Sequence, residues 1–259
     1  MVYLKSQWMK IALSILLLFC VQMSYSEPSR RQEPEYIFYK ATAFYENARY
    51  EEAIAQYSLL LEQGLESGPL YYNLGNCYLK KGEFGRAILN YERAKRIIPR
   101  DSDLKSNDEY AKLLVREPPG ESTGIWYHKI SDRIFKPISI NDLTILLSVI
   151  YLLLMMIFIA SLYIKAVKRS WKILLSIFVL IFIIGGFGLY QKIVLLDKEA
   201  IIIVEKSEAK FEPFDRSTTH FTFYEGMKVQ VLASKKGWVK IIRADRKGGW
   251  VKASSIEMI

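Results

Sequence analysis

Cysteine and histidine are scarce in this chain, with two of each among 259 residues. Cys20 lies in an N-terminal apolar stretch with the marks of a leader, so removal of that leader leaves Cys77 alone and no internal disulfide. A lone Cys between Asn76 and Tyr78 reads as a small packed apolar group. The alternative is a redox-sensitive thiol, although no Lys, Arg or His stands beside it to lower its pKa. His128 and His220 have no Cys, Asp or Glu at spacings such as HExxH or CxxC, which removes the common zinc sites. GxSxG and a Ser-His-Asp set are missing, and Gly185-Gly186-Phe187-Gly188 falls inside an apolar run, where small residues favour helix packing. The expectation is a protein that is not an enzyme and holds no metal or cofactor.

Charge is missing from two long runs. Residues 143 to 164 (LTILLSVIYLLLMMIFIASLYI) hold 22 uncharged residues, and 173 to 191 another 19 between Lys172 and Lys192. Each is long enough to cross a hydrocarbon core about 30 Å thick at 1.5 Å per helical residue. Neither contains an acid, Lys, Arg or His, so an ion or proton pathway lacks its usual residues. The remaining sequence is polar and patterned. The plan expected is two soluble modules flanking a membrane hairpin.

The N-terminal apolar stretch, 11 to 21, is only as long as a signal-peptide core. Lys5 and Lys10 precede it, and Ser24-Tyr25-Ser26 offers small residues for cleavage, so residues 1 to 26 read as a signal peptide, with a retained anchor as the alternative. Phe19 before Cys20 argues against lipidation. Between the two spans, KAVKRSWK (165 to 172) carries Lys165, Lys168, Arg169 and Lys172 without an acid. A short basic loop stays cytoplasmic, which places both soluble modules on the other side. The formal net charge of +9 is no sign of nucleic acid, because more than half of the excess left after the leader lies at 165 to 197.

Helical periodicity dominates the first module, residues 27 to 117. Tyr71, Leu74, Gly75 and Tyr78 fall on one helix face, and Ala87, Ile88, Tyr91 and Ala94 on the next, with Gly82 between the two helices and Pro99 after them. Ala41, Phe44, Tyr50, Ala53, Ile54 and Tyr57 repeat Gly75, Tyr78, Phe84, Ala87, Ile88 and Tyr91 after 34 residues. That period and those residue types resemble the tetratricopeptide repeat, closely over 69 to 100 and more weakly over 35 to 66. Residues 101 to 115, with Leu104, Ala111 and Leu114 on one face, read as a capping helix.

Such solenoids bind peptides or domains along the face formed by the first helix of each repeat. The candidate groove residues are Tyr39, Thr42, Tyr72, Asn73, Asn76, Lys80, Asn107 and Tyr110. For the tyrosines, packing between neighbouring helices is the competing role. The Lys and Arg clamp that some family members close on a terminal carboxylate is not matched: Phe38, Thr42, Asp103 and Asn107 stand in those places.

Pro118-Pro119-Gly120 marks a linker, and residues 118 to 142 hold Trp126, Ile130, Ile134 and Ile138 every four residues. That spacing suits an interfacial helix, or one packed beneath the repeats. Ser139 or Asn141 is placed to cap the first span. After the second span the periodicity becomes alternating. Strands are expected at 200 to 205, 227 to 233, 238 to 243 and 249 to 252, with 245 to 249 as a hairpin turn using Gly248 and Gly249. FEPFDRSTTHFTF reads as a long loop. Residues 198 to 259 therefore form a small all-β barrel, and GWVKI with GGWV resembles the bacterial SH3-like domain. Phe221, Phe223, Tyr224, Trp238 and Trp250 are candidates for a peptide surface there, or for its core.

The fold class expected is thus a multidomain membrane protein: an all-α tetratricopeptide solenoid, two transmembrane helices and an SH3-like barrel. This order of parts, with YYNLGNCYLKKGEFGRAILNYERA and GWVKIIRADRKGGWV, resembles the BatE-like proteins of the Bat aerotolerance family. The resemblance implies a non-enzymatic scaffold in the bacterial inner membrane, with both soluble modules periplasmic. It implies Bat-type partners carrying von Willebrand factor A domains, a MoxR-type ATPase reached indirectly, and a role in oxygen or oxidative-stress tolerance. The alternative is an envelope receptor that grips peptidoglycan through the SH3-like domain.

Overall fold

The computed structural model describes residues 32–115, 138–163, 165–196 and 198–259. The expected leader and cleavage site, and the linker with Trp126, lie outside the described residues.

Among the described residues five helices come first: α1 (Gln32–Glu46), α2 (Tyr50–Glu62), α3 (Gly68–Lys81), α4 (Phe84–Ile97) and α5 (Ser102–Leu114). Their ends follow from local chemistry. Ser67 Oγ accepts from the Leu70 N–H and Asp101 Oδ1 from the Leu104 N–H, satisfying donors that a helix start leaves open. Gly82 stops α3 in the left-handed region at φ 80°. Ala48, one 34-residue period earlier, holds the same region at φ 57° between α1 and α2. The first repeat thus keeps the geometry of the second at a less suitable residue.

Small residues set the helix spacing. A Cβ on Gly75 would stand 2.5 Å from the ring of Tyr91, so the absence of a side chain is what lets that ring lie against α3. One core joins Ile37, Ala41, Ala53, Tyr57, Leu60, Leu70, Leu74 and Cys77 across α1 to α3. A second joins Ala87, Ile88, Tyr91, Ala94, Leu104, Ala111 and Val115.

Two long helices follow, α6 (Ile140–Tyr163) and α7 (Lys165–Leu196), packed against each other. Ser139 and Asp142 cap α6 reciprocally: Ser139 Oγ accepts from the Asp142 N–H at 3.0 Å, and Asp142 Oδ2 from the Ser139 N–H at 3.3 Å. Ser139, and not Asn141, is therefore the cap. Among the described residues, Ile140–Ile159 is the one helical stretch long and apolar enough to cross a membrane. The apolar part of α7, Leu175–Tyr190, is shorter than that. The segment expected as a loop at 165 to 172 lies within α7, because residues rich in Lys, Arg and Ala propagate a helix readily.

The C-terminal module is one antiparallel sheet of seven strands: β1 (Glu199–Ile202), β2 (Lys206–Lys210), β3 (Thr219–Tyr224), β4 (Lys228–Lys235), β5 (Trp238–Ile242), β6 (Gly248–Lys252) and β7 (Ile256–Met258). They lie in the order β3-β2-β6-β5-β4-β1-β7. The strands expected at 227 to 233, 238 to 243 and 249 to 252 are present as β4, β5 and β6, while the one expected at 200 to 205 stops at Ile202 and a separate strand, β2, starts at Lys206. The stretch expected as a loop at 211 to 223 is half strand, since Thr219–Tyr224 pairs along β2. The turn after β5 is carried by Arg246 at φ 67°, and the two glycines sit inside β6. They are there for closeness: a Cβ on Gly248 would meet the Ile241 carbonyl at 2.4 Å and one on Gly249 the Lys210 carbonyl at 2.9 Å. The β4–β5 turn places Lys236 and Gly237 both at positive φ, as a type I′ hairpin requires.

The sheet is docked on the second repeat. Ile201 of β1 belongs to the same core as Ala87, Ile88 and Tyr91. A Cβ on Gly85 would lie 2.7 Å from the Ile202 carbonyl, and one on Gly226 would lie 2.6 Å from Ile88. Two glycines, one from each module, allow this closeness: Gly85 lets the backbone of β1 approach α4, and Gly226 makes room for the Ile88 side chain.

Candidate interaction surface

The groove residues sort into two groups. The first is a ladder of amides and hydroxyls. Thr42 Oγ1 lies 2.9 Å from Tyr57 Oη, and Asn73 Nδ2 donates to the same Oη at 3.1 Å. One period on, Tyr91 Oη donates to Asn76 Oδ1 at 2.7 Å, while Asn107 Nδ2 donates to Asn76 Oδ1 at 2.9 Å and to Tyr72 Oη at 3.0 Å. Positions 42 and 76, 57 and 91, and 73 and 107 are each 34 apart. The ladder is therefore a property of the repeat.

Its hydroxyls are deeply placed. Tyr57 and Tyr91 are buried, and desolvation raises both phenols above their ordinary pKa, so they stay neutral donors and acceptors. Thr42, Asn73, Asn76 and Asn107 are half-buried at the groove floor, with these polar atoms spent on holding α1, α3 and α5 in line with α2 and α4.

The second group faces outward. Tyr39 is 71% exposed and Tyr110 55%, while Lys80 is exposed at the end of α3. Leu113 at 80% and Tyr36 at 67% extend the apolar ground beside them, and periodicity alone did not single these two out. Their signal was available: Tyr36 precedes Tyr39, and Leu113 follows Tyr110, at the three-residue step that keeps one helix face.

The candidate surface of the sheet does not hold together as a groove. Phe223 is fully buried, facing the interior of the sheet as strand alternation dictates, and Trp238 is 9% exposed, on the other face from Val239 and Ile241 and covered by Lys252. Phe221 packs edge-on to Phe223 and lies under Arg243 and Lys247. Tyr224 and Trp250 are half-buried. Phe223 and Trp238 are thus buried residues, a correction to their candidacy as contacts.

The opposite side of the repeats carries a charge cluster. Glu92 on α4 accepts from Lys112 at 2.7 Å and Lys95 at 3.1 Å, and from Lys228 of β4 at 3.2 Å. Asp108, buried on α5, is paired with Lys95 and Lys112. Lys228 also bridges Glu199 at 2.9 Å, and Arg96 bridges Glu199 at 3.0 Å. Burial alone would raise the Glu92 carboxyl, but Lys228, Lys112 and Lys95 outweigh it and hold it well below the usual range. The same anions raise Lys112 and Lys228 against the burial that works to lower them. These ions clamp the sheet to α4 and α5.

The tetratricopeptide-repeat family model matches residues 69–101. That stretch is α3, α4 and the turn after them, the repeat whose Tyr72, Asn76 and Tyr91 belong to the ladder. Repeats of this kind are typical of non-enzymatic scaffolds and point to protein partners. No curated protein matches the chain at a significant level. Among the described residues no group of His, Cys, Asp and Glu is arranged to hold a metal ion.

Proposed function

We propose that this protein is a membrane-anchored scaffold that assembles partner proteins on the first-helix face of its repeats. The observation that carries this reading is which face is already covered. The sheet occupies α4 through Gly85, Ile88, Glu92 and Arg96, while Tyr36, Tyr39, Tyr110 and Leu113 on α1 and α5 remain exposed. Aromatic side chains supply contact area at little entropic cost, and they sit on a face already aligned by the ladder.

The anchor is α6, with α7 returning as a second span, so that repeats and sheet share the non-cytoplasmic side. The apolar stretch Ile140–Ile159 and the basic KAVKRSWK segment support that arrangement. The likeness of the order of parts to the Bat aerotolerance family supports partners of the Bat type with von Willebrand factor A domains, in a complex serving oxidative-stress resistance. The peptidoglycan receptor is the weaker reading, because two of the five aromatic residues it relied on are buried.

In-cell crosslinking from positions 36 and 113, beside Tyr39 and Tyr110, followed by identification of the captured proteins, tests the proposal. Capture of membrane proteins that is lost in Tyr39→Ala/Tyr110→Ala supports it. Undiminished capture in that double variant refutes the groove assignment.

A further inference from the structure

The β4–β5 hairpin reaches back toward the helices from which the sheet emerges. Lys198, two residues past the end of α7, accepts at its carbonyl from the Val231 N–H at 2.7 Å, and Glu199 is level with Gln230. On the other flank of β1, Met258 pairs with Ala200, and with Ile259 it lines a cleft of about 660 Å³ that also includes Ser139 and Ile140 at the start of α6. Two separate links therefore fix this end of β1 as the end nearest the apolar helices.

β4 does not stop there. It continues from Val231 to Lys235, four more residues, before β5 returns from Trp238. At about 3.3 Å per residue these four residues add about 13 Å of strand past the level of Lys198, on the side of the apolar helices, with a bulge between Val231 and Ala233 that bends it.

The chemistry of that turn is one-sided. Leu232 to Lys240 contains Lys235, Lys236 and Lys240, all exposed, and no acid. Among the described residues none of the three lysines stands in an ion pair, whereas Lys252 beside them is bridged to Asp215 at 3.0 Å. Leu232, 55% exposed, adds an apolar side chain to the same hairpin. A basic tip with an exposed leucine, held level with the outer end of a span, matches the charge of a phospholipid headgroup layer.

We infer that the β4–β5 hairpin docks on the surface of an anionic phospholipid bilayer through Lys235, Lys236 and Lys240. The contact fixes the height and tilt of the repeats above the membrane, so that their groove faces partners at a set distance. This inference rests on reading α6 as a membrane span.

The test uses the full chain in nanodiscs of phosphatidylcholine with or without phosphatidylglycerol. Ser234→Cys, in a Cys20→Ser background, carries a fluorophore, and quenching by a headgroup spin label is measured. Quenching is expected to be several-fold stronger in the anionic discs. It should fall to the phosphatidylcholine level in Lys235→Glu/Lys236→Glu/Lys240→Glu, and at about 1 M salt, where the Debye length is about 3 Å. Equal quenching in both discs, or quenching indifferent to charge reversal, overturns the hairpin assignment alone. Release of the chain from discs by alkaline wash overturns the membrane reading and the inference together.

Discussion

The carboxylate of Glu225 accepts a hydrogen bond of 2.7 Å from the backbone N–H of Gly85, 140 residues away in sequence. Gly85 is the second residue of α4, so one of the open donors at that helix start is satisfied by the sheet and not by the helix's own capping residue. The two modules are joined where each lacks a side chain: Gly85 faces Ile202, and Gly226 faces Ile88.

Gly85→Ala tests the seam by its sign. In an ordinary helix interior, Gly to Ala stabilises by about 1 kcal/mol. Here the new Cβ would lie 2.7 Å from both the Ile202 carbonyl and Glu225 Cγ, and backbone cannot swing aside. The expected result is a loss of about 1–3 kcal/mol, read by thermal denaturation, with earlier proteolytic cleavage between sheet and repeats. A stabilised variant would show that the modules do not meet at α4.

Acid should act on the seam in two opposite ways. Burial, helped by Glu205 and Glu83, raises the Glu225 carboxyl, against the Gly85 hydrogen bond that lowers it. A raised folded pKa means a stabilising contribution that is complete below the unfolded value and lost as pH rises through the folded one. Glu225→Gln keeps an acceptor for Gly85 without the charge. It should be at least as stable as the parent at pH 7 and lose that advantage below about pH 4.5. Glu92 is the reverse case. Its depressed pKa contributes stability that is present above about pH 4.5 and lost as pH falls toward the folded value. Glu92→Gln should cost about 3 kcal/mol at pH 7, leaving three lysines short of an anion. It should also flatten the acid limb of the stability curve. Melting curves from pH 3 to 8 for both variants decide the matter.

Much of this molecule is readable from residue spacing. The 34-residue register that pairs Tyr57 with Tyr91 also pairs Ala48 with Gly82 and Thr42 with Asn76, and the structure gives each pair one local role. Alternation likewise places β4, β5 and β6. What spacing does not show is long-range contact. Nothing near Gly85 announces that Ile202 lies on it, and Glu92 reads as a solvated helix residue until Lys228 arrives from β4. Thr219–Tyr224 does alternate at His220-Phe221-Thr222-Phe223, but Pro213, Asp215 and Ser217 just before it make the whole stretch read as a loop. The groove was legible as a face. Which of its residues are spent internally was not, because Asn73 and Asn107 are matched to hydroxyls on other helices.

That spending changes what a groove mutation means. Asn76 Oδ1 is the shared acceptor for Tyr91 Oη and Asn107 Nδ2, so Asn76→Ala strands a buried phenol and leaves the Asn107 amide with Tyr72 alone. An unsatisfied buried donor costs about 1–3 kcal/mol, and the variant should melt earlier even with no partner present. Tyr91→Phe removes the donor and leaves Asn107 on Asn76, so its cost should be the smaller of the two. Equal melting of Asn76→Ala and the parent would mean that the amide is not part of the frame. Partner binding is therefore better probed at Tyr39 and Tyr110, whose exposed side chains can be removed without opening the core.

Cys77 gives the last prediction. It is fully buried among Ala41, Ala53 and Leu74, and desolvation pushes its thiol up to about 12. The thiolate is the reactive form, so at pH 8 the folded chain holds almost none of it. Iodoacetamide should leave Cys77 unmodified in the native protein and alkylate it fully in denaturant, as peptide mass spectrometry would read. Cys77→Ala removes only a small packed group and should cost about 1 kcal/mol while leaving oxidative-stress tolerance in cells intact. Rapid alkylation of the folded protein would revive the redox reading of this residue. Protection would leave Cys77 as a packing group between α1, α2 and α3.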